Sequence, residues 1–166
     1  SSALSNCALK VISERTCSFF NIDDMICVEV NEAGPSIRYQ WNREEKENFV
    51  KRLLHPGVFE WDRIRKRADE SGAAIYRQSE TPNIYKEEAE SVMIVMSTAS
   101  KGLKASVIFS DRHTDRTWEE EKNALCRISH QIFNRLRMLK NAGTFTDHLQ
   151  GTVRERGRSG AVLHGS

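Results

Sequence analysis

Val92-Met93-Ile94-Val95-Met96 is an unbroken apolar run, and Ala105 to Phe109, interrupted only by Ser106, is a second apolar run, separated from it by a polar turn from Ser97 to Gly102. Neither run alternates with polar residues, and neither approaches the roughly 20 residues of a membrane helix. Short segments of this kind are buried on both faces, which predicts two neighbouring strands in the middle of a sheet. Ser110-Asp111 ends the second run. A long amphipathic helix then opens at Thr117-Trp118-Glu119-Glu120, where Thr117 and Glu120 have capping-box spacing. Leu125, Ile128, Ile132, Leu136 and Leu139 continue it as a stripe at steps of three or four, able to pack on a sheet or to pair with a second helix.

The preceding residues supply the rest of the sheet. Leu4, Ala8, Val11 and Ile12 are spaced for a first helix over residues 3–17. Ile26, Val28 and Val30 alternate with Met25, Cys27 and Glu29. After the turn signal Glu32-Ala33-Gly34-Pro35, Ile37, Tyr39 and Trp41 alternate with Ser36, Arg38 and Gln40. This predicts a hairpin in which the even face of one strand matches the odd face of the other. Asn42 and Glu45 are spaced to cap a second helix carrying Phe49, Val50, Leu53 and Leu54, which His55-Pro56-Gly57 stops. Phe59 to Asp69 predicts another helix, ended by Ser71-Gly72 in a left-handed cap. Ala73 to Tyr76 predicts a short strand, and Ser79 to Asn83 a polar loop.

Length, charge and cysteine usage narrow the class. A chain of 166 residues with 39% hydrophobic and 29% charged residues has room for one domain with a core and a tail. The net charge of +2 is mixed in sign along the chain, which argues against nucleic acid as a partner. No secretory signal leads the sequence, and its first residue is Ser, so a piece of a longer protein is expected. Cys7, Cys17, Cys27 and Cys126 have no metal-ligand spacing and read as reduced thiols of a cytoplasmic protein. Gly143, Gly151, Gly157, Gly160 and Gly165 among Ser, Thr and Arg predict a flexible tail or linker over residues 143–166.

The order helix, hairpin, helices, strand, loop, strand, strand, helix resembles a GAF domain over residues 1–142. The resemblance is carried by Ala89 to Met96, Gly102 to Asp111 and Arg116 to Leu136. The chain departs from the family pattern at Met96 or Ser97, where a Pro is customary, and at Ala105, where a Gly is. The resemblance implies an α+β fold, with an antiparallel sheet, helices on both faces and long terminal helices. It further implies a regulatory domain of a larger bacterial sensory protein, homodimeric through its terminal helices. The expected output domain is one for cyclic-di-GMP (GGDEF or EAL), with a histidine kinase second. A ligand-free dimerisation spacer is the competing class. The full-length protein would then be the diguanylate cyclase, phosphodiesterase or kinase, and this segment would have no turnover of its own.

Specific chemistries find little support in the residues. Ser129-His130-Gln131-Ile132-Phe133-Asn134-Arg135-Leu136 superficially resembles a kinase phosphorylation helix, but it lacks the customary Pro and the chain has no glycine-rich ATP lid. GAF domains that attach a bilin use a Cys usually followed by His, and none of the four cysteines has that neighbour. His55 and His113 are lone loop histidines. Asp111-Arg112-His113 with Asp115-Arg116 reads as a solvated charged loop. A small-molecule pocket remains, with no cofactor indicated. Its expected lining is Trp41, Trp61, Tyr76, Arg77 and Tyr85, aromatic walls with one guanidinium suited to a planar or anionic metabolite.

Overall fold

The computed structural model describes residues 2–44, 52–80, 85, 89–98 and 102–158. The elements are α1 (Ser2–Phe20), β1 (Asp24–Asn31), β2 (Gly34–Asn42), α2 (Trp61–Ser71), β3 (Ala74–Arg77), β4 (Ser91–Met96), β5 (Ala105–Asp111) and α3 (Lys122–Arg158). Glu45, Phe49, Val50, Asn83 and residues 159–166 lie outside the described set, and with them the first part of the predicted second helix and the end of the predicted tail; Arg52 and Leu53 of that helix are helical. The chain divides into two compact units, residues 1–130 and 131–166.

Among the described residues, five strands form one antiparallel sheet in the order β2-β1-β5-β4-β3. The two apolar runs become β4 and β5, every residue of which is buried. This is the predicted α+β architecture, with β5 at its centre. A fully apolar strand can stay dry only where other elements cover both faces.

The faces differ. Ile26, Val28, Ala74, Tyr76, Val92, Ile94, Met96 and Ile108 pack with Ile64 and Ala68 of α2 and with Leu53, Phe59, Tyr85 and Ala89. α2 ends as predicted at Gly72, whose φ of 86° is the left-handed cap and whose N–H donates to the Ala68 carbonyl at 2.7 Å. Met25, Cys27, Met93, Val95, Val107 and Phe109 form the opposite face, and all of them are buried. α1 covers its β1–β2 end. There burial raises the Tyr39 phenol above its ordinary value, and Glu14 and Cys17 of α1 add to the shift.

The hairpin register corrects one expectation. Met25 pairs with Trp41 and Cys27 with Tyr39, but Val28 pairs with Ile37, so Arg38 is the extra residue of a bulge. A bulge shifts the alternation by one residue. Only beyond it does an even residue of β1 share a face with an odd residue of β2. Trp41 and Tyr39 therefore lie with Met25 and Cys27, on the α1 side.

The last helix differs at both ends. It opens at Lys122, because Trp118 has a φ of 64°, outside the helical range. Its backbone continues through Gly143, Gly151 and Gly157, where the composition predicts a flexible tail. Isolated glycines cost a helix about 1 kcal/mol each relative to Ala, which weakens a helix without breaking it as proline does.

Ile94 and Ile108 are fully buried partners on adjacent central strands. Ile94→Ala is expected to lower the free energy of urea unfolding by about 2–5 kcal/mol. A loss under about 1 kcal/mol would contradict its central position.

Candidate functional site

The strand ends at β1 and β5 carry a buried polar cluster. On the α2 face, Asn42 of β2, Asp24 of β1 and Ser110 of β5 are adjacent in register. Asp24 is fully buried and accepts hydrogen bonds from Asn42 Nδ2 at 2.8 Å, Arg112 Nε at 2.8 Å, Arg112 Nη2 at 2.7 Å and the Ser110 hydroxyl. The Arg112 side chain is only 7% exposed. Its hydrogen bonds to Asp24 raise its pKa despite the opposing effect of burial. Asp23 accepts from the Arg112 backbone N–H at 2.7 Å and pairs with Arg43 Nε at 3.4 Å. Glu44 lies 3.7 Å from Arg112 Nη1 and 3.1 Å from His113 Nε2.

The next residues of the loop are held as firmly. Asp111 Oδ1 accepts from the His113 and Thr114 amides, and Asp111 Oδ2 lies 3.2 Å from Arg116 Nη2. Arg116 donates to the Phe20 carbonyl at 3.0 Å and to the Asn21 carbonyl at 2.7 Å. A solvated loop is thus the wrong description of Asp111, Arg112 and Arg116, whereas His113 and Thr114 are exposed. The partners of Arg112 and Arg116 outside the loop are remote in sequence, so composition alone reads these charges as surface.

The five predicted ligand contacts do not converge. Trp61, Tyr76 and Tyr85 share the α2 face. The Tyr76 and Tyr85 rings meet edge to face with centroids 5.2 Å apart, and Trp61 packs at the border of the same core. Burial is the main cause that raises both phenols. The Tyr76 hydroxyl has no hydrogen-bond partner, and the Arg67 guanidinium lies 4.6 Å from the centre of its ring. Trp41 is on the α1 face because of the bulge. Arg77 follows Tyr76 in the strand and so points to that opposite face too. Its Nη2 donates to both the carbonyl and a carboxylate oxygen of Asp115, each at 3.1 Å.

Arg77 instead borders a charged cleft at the sheet edge, with a volume of about 440 Å³. Arg67, Glu80, Glu119 and Lys122 are among its other lining residues. Arg67 Nη2 is paired with Glu80 at 2.6 Å, and Arg67 Nε donates to the Ile75 carbonyl at 2.8 Å. Neither this cleft nor the Asp24–Arg112 cluster is visible in the sequence. The only signal is the density of Asp and Arg after β5, which does not reveal their partners.

No family model matches the sequence, and no curated protein does either. Solved structures do match in fold. GAF3 from Synechocystis sp. in its photoproduct state is 14% identical, with a TM-score of 0.56 over 88% of this chain and 99% of that one. A red/green cyanobacteriochrome in its red light-absorbing state is 15% identical, with a TM-score of 0.58 over 83% and 97%. The GAF domain/HD domain protein of Geobacter sulfurreducens is 12% identical, with a TM-score of 0.56 over 81% and 94%. The chain has the GAF fold.

The thiols and the buried ion pair give two expected outcomes. Burial pushes Cys17 and Cys27 up to about 12 from 9.0, whereas Cys7 is exposed. At pH 8 only about one in 10⁴ of either buried thiol is ionised, and the thiolate is the reactive form. Iodoacetamide at pH 8 should therefore label Cys7 in the native chain and spare Cys17 and Cys27, as read by peptide mass spectrometry. Equal labelling of Cys7 and Cys27 would contradict the assigned burial. Asp24→Ala leaves the Arg112 charge without its buried partner and should cost about 3–5 kcal/mol in urea unfolding. Asp24→Leu combined with Arg112→Met should recover most of that loss. A double variant as unstable as the single one would show that the cost is not electrostatic.

Proposed function

We propose that this chain is a regulatory domain of a larger bacterial signalling protein, one that senses a small molecule or transmits a signal to an attached output. The observation that carries this reading is the loop from Asp111 to Glu121. It leaves the central strand, grips the exit of α1 through Arg116 and leads into α3. One segment thereby ties both terminal helices to the sheet. A signal passes through such a junction only if an input has different affinity for two of its arrangements. The GAF fold supports the same reading, and cyclic-di-GMP synthesis or breakdown is the proposed output, with a histidine kinase second.

For the ligand we propose the cleft beside Arg77 as the place where a polar metabolite is recognised, since Arg67, Arg77 and Lys122 line it together with Glu70, Glu80 and Glu119. Trp61, Tyr76 and Tyr85 are proposed as a separate apolar wall. The competing reading, a ligand-free dimerisation spacer, is favoured by one observation. Tyr76 and Tyr85 fill the space between sheet and α2 with their own rings. In either reading the proposed assembly is a homodimer through the terminal helices, where Phe19 and Met138 are 82% and 71% exposed.

Cyclic-di-GMP turnover by the complete gene product tests the output. Turnover is expected, with a metabolite response that Arg77→Ala alters, and absence of any turnover would remove this output. Sedimentation tests the assembly. The chain is expected to be a dimer at high micromolar concentration, and Phe19→Glu with Met138→Glu a folded monomer. A monomeric wild-type chain would end the dimer proposal.

A further inference from the structure

Among the described residues, two that are not glycine have positive φ: Asn21 at 54° and Trp118 at 64°. Asn21 follows the last residue of α1. Asn tolerates the left-handed region, and the Ile22 N–H closes the helix end on the Cys17 carbonyl at 2.9 Å. Trp118 is different. A bulky residue in that region is a true outlier, and it persists only where its surroundings impose it. Its side chain is fully buried, yet its indole N–H has no hydrogen-bond partner. Both features burden this conformation.

Arg116 touches both outliers. Its guanidinium donates to Phe20 and Asn21 at the exit of α1, pairs with Asp111 and lies 4.8 Å from the centre of the Trp118 ring. Its backbone N–H donates to the Ser91 hydroxyl at 3.1 Å, and the same hydroxyl donates to the Thr114 carbonyl. A cation there also suits the negative end of α1. The arrangement that strains Trp118 is thus the one that satisfies the end of α1.

A second arrangement is written in the sequence. Thr117 and Glu120 have the spacing of a capping box, yet α3 opens later, at Lys122, and both residues are exposed. With Trp118 at a helical φ, Thr117 becomes the N-cap, Glu120 closes the box and α3 gains about one turn at its N-terminus. We propose that Arg116 and Trp118 form a two-state latch. In the closed state Arg116 holds the exit of α1, and α3 begins at Lys122. In the open state Arg116 leaves α1, and α3 begins at Thr117.

The latch deepens the signalling reading and rests on it for its purpose, but its two states are properties of this chain alone. It also gives the cleft a role. Thr117, Glu119 and Lys122 line the cleft, and Arg77 holds Asp115 of the same loop. Drawing Trp118 and the turn that Lys122 N–H closes on its carbonyl at 2.9 Å into α3 reshapes that wall, so an occupant that prefers one shape shifts the population.

The test uses the 166-residue chain and the backbone chemical shifts of residues 117–122. Arg116→Gln removes the grip on α1 and should move the shifts of 118–121 toward helical values, with the Trp118 indole resonance displaced. Adding Thr117→Ala deletes the N-cap of the open state alone and should cut the helical population about fivefold. Arg116→Lys, which keeps the charge but loses the fork that spans two carbonyls, should give a smaller shift in the same direction, and it serves as the readout if Arg116→Gln does not fold. Shifts of 118–121 that stay unchanged or move to coil values in these variants would overturn the latch. So would a helical shift indifferent to Thr117→Ala. Failure of the cyclic-di-GMP output leaves this outcome unaffected, so the two claims fail separately.

Discussion

Asp24 sits where a carboxylate cannot remain unpaired. Moving an ion of that size out of water costs several kcal/mol even after relaxation, so its donors must be in place before the strand ends can close. Asn42, Ser110 and Arg112 supply them, one from β2, one from β5 and one from the loop beyond. The pair therefore does more than join two charges. It fixes the alignment of three strands at one end of the sheet and sets the direction in which the chain leaves β5. The grip of Arg116 on α1, the strained Trp118 and the start of α3 all follow from that direction. Replacement by apolar residues could match the stability of such a pair but not its directional hydrogen bonds.

The parts of the fold legible in the sequence are those decided by local composition. Val92 to Met96 and Ala105 to Phe109 are short, rich in β-branched residues and bounded by turn signals, which favours central strands over helix, and Gly72 can end a helix in a conformation closed to most residues. The hairpin was legible as a hairpin, but its faces were not. A single bulge at Arg38 moves Tyr39 and Trp41 across the sheet, and no residue nearby announces it. The Asp111–Arg116 segment hid its role for a related reason. Asp24, Phe20 and Asn21 lie far upstream, so only the tertiary structure shows that Arg112 and Arg116 are largely buried against them.

The candidate site divided along the same lines. Tyr76 and Arg77 are neighbours in sequence, and strand geometry sends them to opposite faces. One joins an aromatic core with Tyr85, the other a charged cleft with Arg67 and Lys122. The capping box at Thr117 was misplaced for a more interesting reason. The local preference for a helix start is present, but tertiary contacts made by Arg116 override it. Such a conflict between local preference and global structure is what a bistable segment requires.

Native-state hydrogen exchange tests most directly whether this junction behaves as one unit. Four amides report on it: Ile22 and Asp23 at the exit of α1, Arg112 in the loop and Lys122 at the entry to α3. The account predicts that they open together, with one shared free energy below that of Ile26, Ile94 and Ile108 in the sheet core. If Lys122 instead opens at a free energy unrelated to that of Ile22 and Asp23, the two terminal helices are not coupled through this loop, and the account is wrong at its centre.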